Sequence, residues 1–366
     1  MDVSQLLLIG VPGAELDTET ADRLHQLQPG GFILFGRNIE SPEQVRKLID
    51  GLRELSEIEP VITIDQEGGR VSRLRLIGKE PPNAQQLREN GDLDLISRHG
   101  KLTGQLLRLF GFNLDLCPVL DISWNGDEDN SLRGRTWGLD ANEVISNAAF
   151  FNGAMRHEGI LSCGKHFPGY SRAAVDAHHE LPVIDRTREE LEAEELAPFR
   201  AMLPDLDSIM VCHSHYPSFD PERNRWPASL SENVINGYLR GQLGYEDGLV
   251  MTDDLDMGAI LNEVTFKDTI QSAVKAGNDM VMICHRLDLG EEAVSHLGGL
   301  SDGVLEDATV RLEKFKLRLA GPRLWSMDEF QRINNEIWQL RVDTLGEEGA
   351  LRLSEEDGKR SPVELY

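Results

Sequence analysis

Four apolar runs in this chain end abruptly in residues that can carry charge, move protons or attack carbon. VITI runs into Asp65-Gln66-Glu67-Gly68-Gly69-Arg70, and LSCG into Lys165-His166-Phe167-Pro168-Gly169. SIMVC stops at His213, and LVMT at Asp253-Asp254. A single Asp in such a place has an ordinary reading, because Asp is a common turn former. Titratable groups ending four separate runs point instead to one shared pocket. Asp253 and Asp254 are adjacent carboxylates that repel, so one is expected to face that pocket while the other caps the next helix.

A second source of chemistry is the segment YSRAAVDAHHE from Tyr170 to Glu180, which holds Asp176, His178 and His179 within four positions. An imidazole near its ordinary pKa can donate and accept protons at neutral pH, and a carboxylate two residues away can fix its tautomer. Incidental surface histidines are the mundane alternative. Zinc is another, because His166, His178, His179, His213 and His215 could all supply nitrogen ligands. No HExxH or comparable ligand spacing occurs, which ranks acid/base work above metal binding.

The elements that must hold these residues are short β-like runs separated by helical patterns. The runs are Leu6 to Ile9, Phe32 to Phe35, Val61 to Asp65, Asn113 to Leu116, Ile160 to Gly164, Ser208 to Cys212, Leu249 to Thr252 and Met280 to Cys284. Most are continuously apolar, as strands buried on both faces of a parallel sheet should be. Helices are expected over Ser41 to Leu55, Ala141 to His157, Thr187 to Met202 and Ser229 to Leu243, three of them opening on Ser- or Thr-led caps. Eight β/α units in order predict an α/β fold of the (β/α)₈ TIM-barrel type, with the chemistry at the C-terminal ends of the strands. An open doubly wound sheet is the runner-up, but no GxGxxG follows the first strand. The barrel is expected over residues 1–300, with helices and a polar tail packed outside it over residues 301–366.

Composition narrows the function classes. A formal charge of −26 repels polyanions and excludes nucleic acid as a natural partner. Four well-separated cysteines in apolar runs, without CxxC spacing, read as reduced core thiols. The opening MDVSQLLLIGVPG has an acid where a signal peptide needs a base, and no run reaches the length of a membrane span. The expectation is a cytoplasmic protein without a membrane partner.

DQEGGRVSRL, GKHFPGY followed by DAHHELP, and GLVMTDDLDMGAI together resemble the signature segments of the glycoside hydrolase family 3 β-N-acetylhexosaminidases, in particular the single-domain bacterial β-N-acetylglucosaminidases. The similarity runs from GGFILFGRN to AGNDMVMI. What it implies is a retaining hydrolase of terminal β-linked N-acetylglucosamine, acting on small carbohydrates or muropeptides from peptidoglycan, with no metal and no organic cofactor. The resemblance makes Asp253 the nucleophile and His178, paired with Asp176, the acid/base. It gives sugar-binding roles to Asp65, Arg73, Arg135 of GRTWG, Lys165 and His166. The chain departs from the family pattern in having Tyr170 after KHFPG and Ala177 inside the dyad, and His179 remains a competitor of His178. A phosphorylase using phosphate as acceptor and a non-catalytic sugar-binding barrel are the alternatives.

Overall fold

In the computed structural model, residues 2–124, 131–171, 181–256, 260 and 264–354 are described. Eight strands close into one barrel: β1 (Leu7–Gly10), β2 (Gly31–Leu34), β3 (Val61–Ile64), β4 (Leu114–Asp115), β5 (Leu161–Phe167), β6 (Ser208–Val211), β7 (Leu249–Asp254) and β8 (Met280–Ile283). Each pairs in parallel with its sequence neighbours, and closure comes from β1 against β8, where Leu7 faces Val281 and Ile9 faces Ile283. The TIM barrel expected from the alternating pattern is the fold that forms. Its strands are buried on both faces, which is why they lack the polar alternation of a half-exposed sheet.

Strand bounds differ from the sequence reading where side chains replace the ladder. β4 has only two residues, because the Asn113 side chain takes over neighbouring bonds: Ile62 N–H donates to its Oδ1 at 2.8 Å, and its Nδ2 donates to Pro60 O at 2.9 Å. Pro118 then has no N–H to give, and pairing resumes at Val119 against Lys165. β5 extends further than expected, so Lys165 and His166 lie within the strand.

The helix over Pro42–Leu55 starts at the expected Ser41 cap, which forms a capping box with Gln44. The segment read as one helix from Thr187 to Met202 is two, Arg188–Ala193 and Leu196–Met202. Pro198 lacks the N–H that a continuous helix would give to the Glu194 carbonyl, so the chain turns there and restarts. Ser229 is not a cap, because its hydroxyl is held by His213 Nδ1 at 2.8 Å. The Val234 N–H is instead accepted by Ser231 Oγ at 3.1 Å, and a π-helix runs over Asn233–Gln242.

Two later helices brace the barrel from outside. Asp302–Lys316 crosses the N-terminal ends of the strands, where Arg311 Nε reaches Asp279 Oδ1 at 2.7 Å and Lys316 Nζ reaches Gln5 Oε1 at 2.7 Å. Met327–Ala350 lies along Leu93–Phe110, with Phe330 packed on Phe110 at 5.7 Å between ring centroids. Among the described residues no helix is long and apolar enough to cross a membrane.

Candidate active site

β3 delivers Asp65 to the C-terminal rim, and the chain then folds back as a small hairpin, Gln66–Gly68 against Val71–Ser72. The turn is glycine for a physical reason. Gly69 has φ +54°, and a Cβ there would sit 2.6 Å from that of Asn83. This reversal sends the following 3₁₀ turn, Arg73–Leu76, back over the rim, so that Arg73 faces Asp65 at 3.5 Å.

Lys165 rises from β5 into this acidic cradle. Its Nζ lies 2.7 Å from Asp65 Oδ1 and 2.7 Å from Glu67 Oε1. Glu67 in turn takes a bidentate grip from Arg135, with Nε to Oε2 at 2.7 Å and Nη2 to Oε1 at 2.8 Å. Burial alone would raise both carboxyl pKa values, yet Lys165 and Arg73 hold Asp65 below the usual carboxylate range, and Arg135 and Lys165 hold Glu67 well below it. The Lys165 ammonium is desolvated too, but the two carboxylates facing it keep its pKa above the ordinary lysine value. The result is a chain of fixed alternating charges, Arg73–Asp65–Lys165–Glu67–Arg135, whose one partly open carboxylate is Asp65.

His166 is oriented by Asp121, whose Oδ2 is 2.7 Å from Nδ1 and also accepts the His166 N–H at 3.0 Å. The same carboxylate accepts the Tyr170 N–H on its other oxygen at 2.9 Å, and the Tyr170 ring packs edge-on to His166 at 4.8 Å. Burial pushes the Tyr170 phenol up, so it stays protonated and can exchange a hydrogen bond with Ser131 Oγ at 3.1 Å.

At the end of β7 the two carboxylates divide their tasks. Asp253 accepts the N–H of Asp254 at 2.8 Å and is half-buried. Asp254 is buried, and its Oδ1 accepts from Asp256 N at 3.0 Å and Cys284 N at 3.1 Å. It therefore ties β7 to the end of β8 and closes the turn to Asp256, while the start of the helix it was expected to cap lies outside the described residues. His213 lies beneath the rim, between Ser229 and the Asp254 carbonyl, in a supporting position.

Asp65, Arg73, Arg135 and Lys165 are thus gathered into one array with Glu67, while His166, next to Lys165 on β5, is held separately by Asp121. The expected dyad, Asp176 and His178, and its neighbour His179 lie outside the described residues. Two organising residues were not singled out from the sequence. Glu67 sits two positions past Asp65 in DQEGG, and Asp121 ends the apolar run CPVL in the same way that Asp65 ends VITI. An acid closing an apolar run would have found Asp121, whereas Glu67, beyond the end of its run, carries no such signal. The four cysteines are free and buried, with the Cys163 and Cys212 thiols pushed up to about 12 by burial.

A model of the glycosyl hydrolase family 3 N terminal domain matches residues 1–314. The chain is 34% identical over 300 residues to a beta-hexosaminidase of Tolumonas auensis, covering 81% of this chain and 86% of that protein. A glycoside hydrolase family 3 beta-N-acetylglucosaminidase from Paenibacillus sp. superposes with a TM-score of 0.85 at 32% identity, over 93% of this chain and 68% of the other. Native NagZ from Neisseria gonorrhoeae superposes with a TM-score of 0.77 at 28% identity, over 91% and 97%.

Proposed function

The chain belongs to glycosyl hydrolase family 3, and from that premise we propose that it is a retaining β-N-acetylglucosaminidase that removes terminal β-linked N-acetylglucosamine from peptidoglycan fragments. The similar proteins named as beta-hexosaminidase and beta-N-acetylglucosaminidase support the reaction class. The observation that carries the reading to residues is the partly open Asp65 carboxylate, fixed by Lys165 and Arg73 at the rim where β7 brings Asp253.

In this reading the Asp253 carboxylate attacks the anomeric carbon, and the bond to the aglycone oxygen breaks with its electron pair leaving on oxygen. His178, oriented by Asp176, gives that oxygen its proton. His178 then takes a proton from water, the water oxygen bonds the anomeric carbon, and the Asp253 ester breaks with retention. Asp65 accepts hydrogen bonds from sugar hydroxyls, while Lys165, Arg73, Arg135 and His166 hold or supplement it.

The test is turnover of a nitrophenyl β-N-acetylglucosaminide by the full chain and by Asp253→Asn, a nearly isosteric change that removes the attacking charge. The variant is expected to fold and to lose turnover. Wild-type rate in the variant would discard Asp253 as nucleophile. Release of a sugar phosphate in phosphate buffer would replace hydrolysis by phosphorolysis.

A further inference from the structure

His285 follows β8, and its ring rests beside Phe35 at 5.3 Å between centroids. Arg37, from the 3₁₀ turn after β2, spans to it: Nε donates to Val11 O at 2.9 Å, Nη2 to Cys284 O at 2.5 Å, and Nη1 lies 3.1 Å from His285 Nδ1. A guanidinium has only donors, so Nδ1 must be the acceptor and the ring proton sits on Nε2. That Nε2 lies 3.4 Å from Asp254 Oδ2 and turns its proton toward the carboxylate.

Every polar group of Asp254 is therefore engaged. Its N–H goes to Asp253 Oδ1, its carbonyl faces His213 Nε2 at 2.9 Å, its Oδ1 holds Cys284 N and Asp256 N, and its Oδ2 faces His285. We propose that His285, with its tautomer set by Arg37, is a positioning residue for Asp253 that acts by locking Asp254. The proposal rests on the reading of Asp253 as nucleophile. If Asp254 tilts, the N–H that aims the Asp253 carboxylate tilts with it.

The same geometry argues against a cation here. Asp254, Cys284 and His285 bring potential ligand atoms within 4.8 Å of one another. Arg37 leaves Nε2 protonated, without the lone pair that a metal ligand needs.

The test uses the full chain and a nitrophenyl β-N-acetylglucosaminide. His285→Ala is expected to lower kcat by about tenfold with KM little changed, because misalignment of a reacting group costs rate rather than ground-state binding. His285→Gln keeps an N–H for Asp254 and is expected to recover most of that loss. Arg37→Met, which frees the tautomer, should fall between, and it carries the same test if His285→Ala does not fold. An unchanged kcat in His285→Ala, or equal impairment in the Ala and Gln variants, overturns the proposal. Active Asp253→Asn would sink the nucleophile reading instead, whereas an inactive Asp253→Asn beside a fully active His285→Ala sinks only this inference.

Discussion

Lys165 illustrates how single residues at this rim are committed before any substrate arrives. A buried ammonium between two carboxylates is tolerable only when both stay ionised, and each carboxylate is in turn held by an arginine. Such a preformed array binds but does not deliver a proton, so the proposed mechanism needs a mobile proton from elsewhere. That is the task assigned to His178. A general acid/base is worth roughly 10²–10⁴-fold. His178→Ala should therefore slow an ordinary glycoside severely, since an alkoxide cannot leave without its proton. A nitrophenyl leaving group departs unaided, so glycosyl-enzyme should accumulate. Azide, which needs no base, should then restore part of the rate in a steady-state assay. Should His179→Ala behave this way and His178→Ala not, the assignment moves by one residue.

Helices matter to this site mainly by how closely they approach one another. Leu93–Phe110 and Ala141–His157 touch where a Cβ on Gly100 would lie 2.2 Å from the Phe151 carbonyl oxygen. In an isolated helix Gly100→Ala would gain about 1 kcal/mol. Here the helices must move apart, and overpacking of this kind costs about 1–3 kcal/mol. The contact involves backbone, which cannot rotate away, so destabilisation is expected. A thermal melt should show a lower Tm, and a rise would mean that the pair separates freely.

Across the whole molecule, the two ends of the barrel are built differently. The N-terminal end is sealed by two buried aspartates held by arginines: Asp207 by the partly exposed Arg156 and Arg318, and Asp279 by Arg240 and Arg311. Asp279 also accepts the Val250 N–H at 2.8 Å, so Asp279→Ala strips two arginines and a strand of their partner. A loss of about 3–5 kcal/mol is expected in denaturant unfolding, in line with a broken buried pair. A loss near zero would mean that the arginines find water instead.

The barrel interior makes stability depend on pH. Burial pushes the Asp115 carboxyl up to about 8, against about 3.9 in an unfolded chain. Between those values the folded state holds a proton that the unfolded state has released. This contribution is fully present below the unfolded pKa and is lost as pH rises through the folded one. Asp254, pushed up to about 7, acts in the same direction. Asp65 and Glu67, both lowered, act oppositely and lose their contribution as pH falls. Asp115→Asn keeps a neutral side chain at all pH values. Its stability relative to wild type should therefore grow between about pH 5 and pH 8 in denaturant titrations. Parallel pH curves for the two proteins would refute the protonated state.

Strand identity and order were readable from residues alone, because a strand buried on both faces must be apolar throughout and eight such runs alternating with helices fit a closed barrel. The same logic exposed Asp65, Lys165, His166 and Asp253, since a charge that ends a buried run must face the rim. Local interruptions were legible only in part: Pro198 could have announced the helix break, whereas Ser229 looked like a cap until His213 claimed it. Only the tertiary structure decided which charges meet. Lys165 and Asp65 are 100 residues apart, Arg135 and Glu67 are 68, and Arg37 and His285 are 248. Periodicity and caps act over a few residues, but these pairings exist because closing the barrel brings β2 and β8, and β3 and β5, to one end. Which of two adjacent carboxylates takes the backbone N–H groups of Asp256 and Cys284 was decided there too, and it is Asp254.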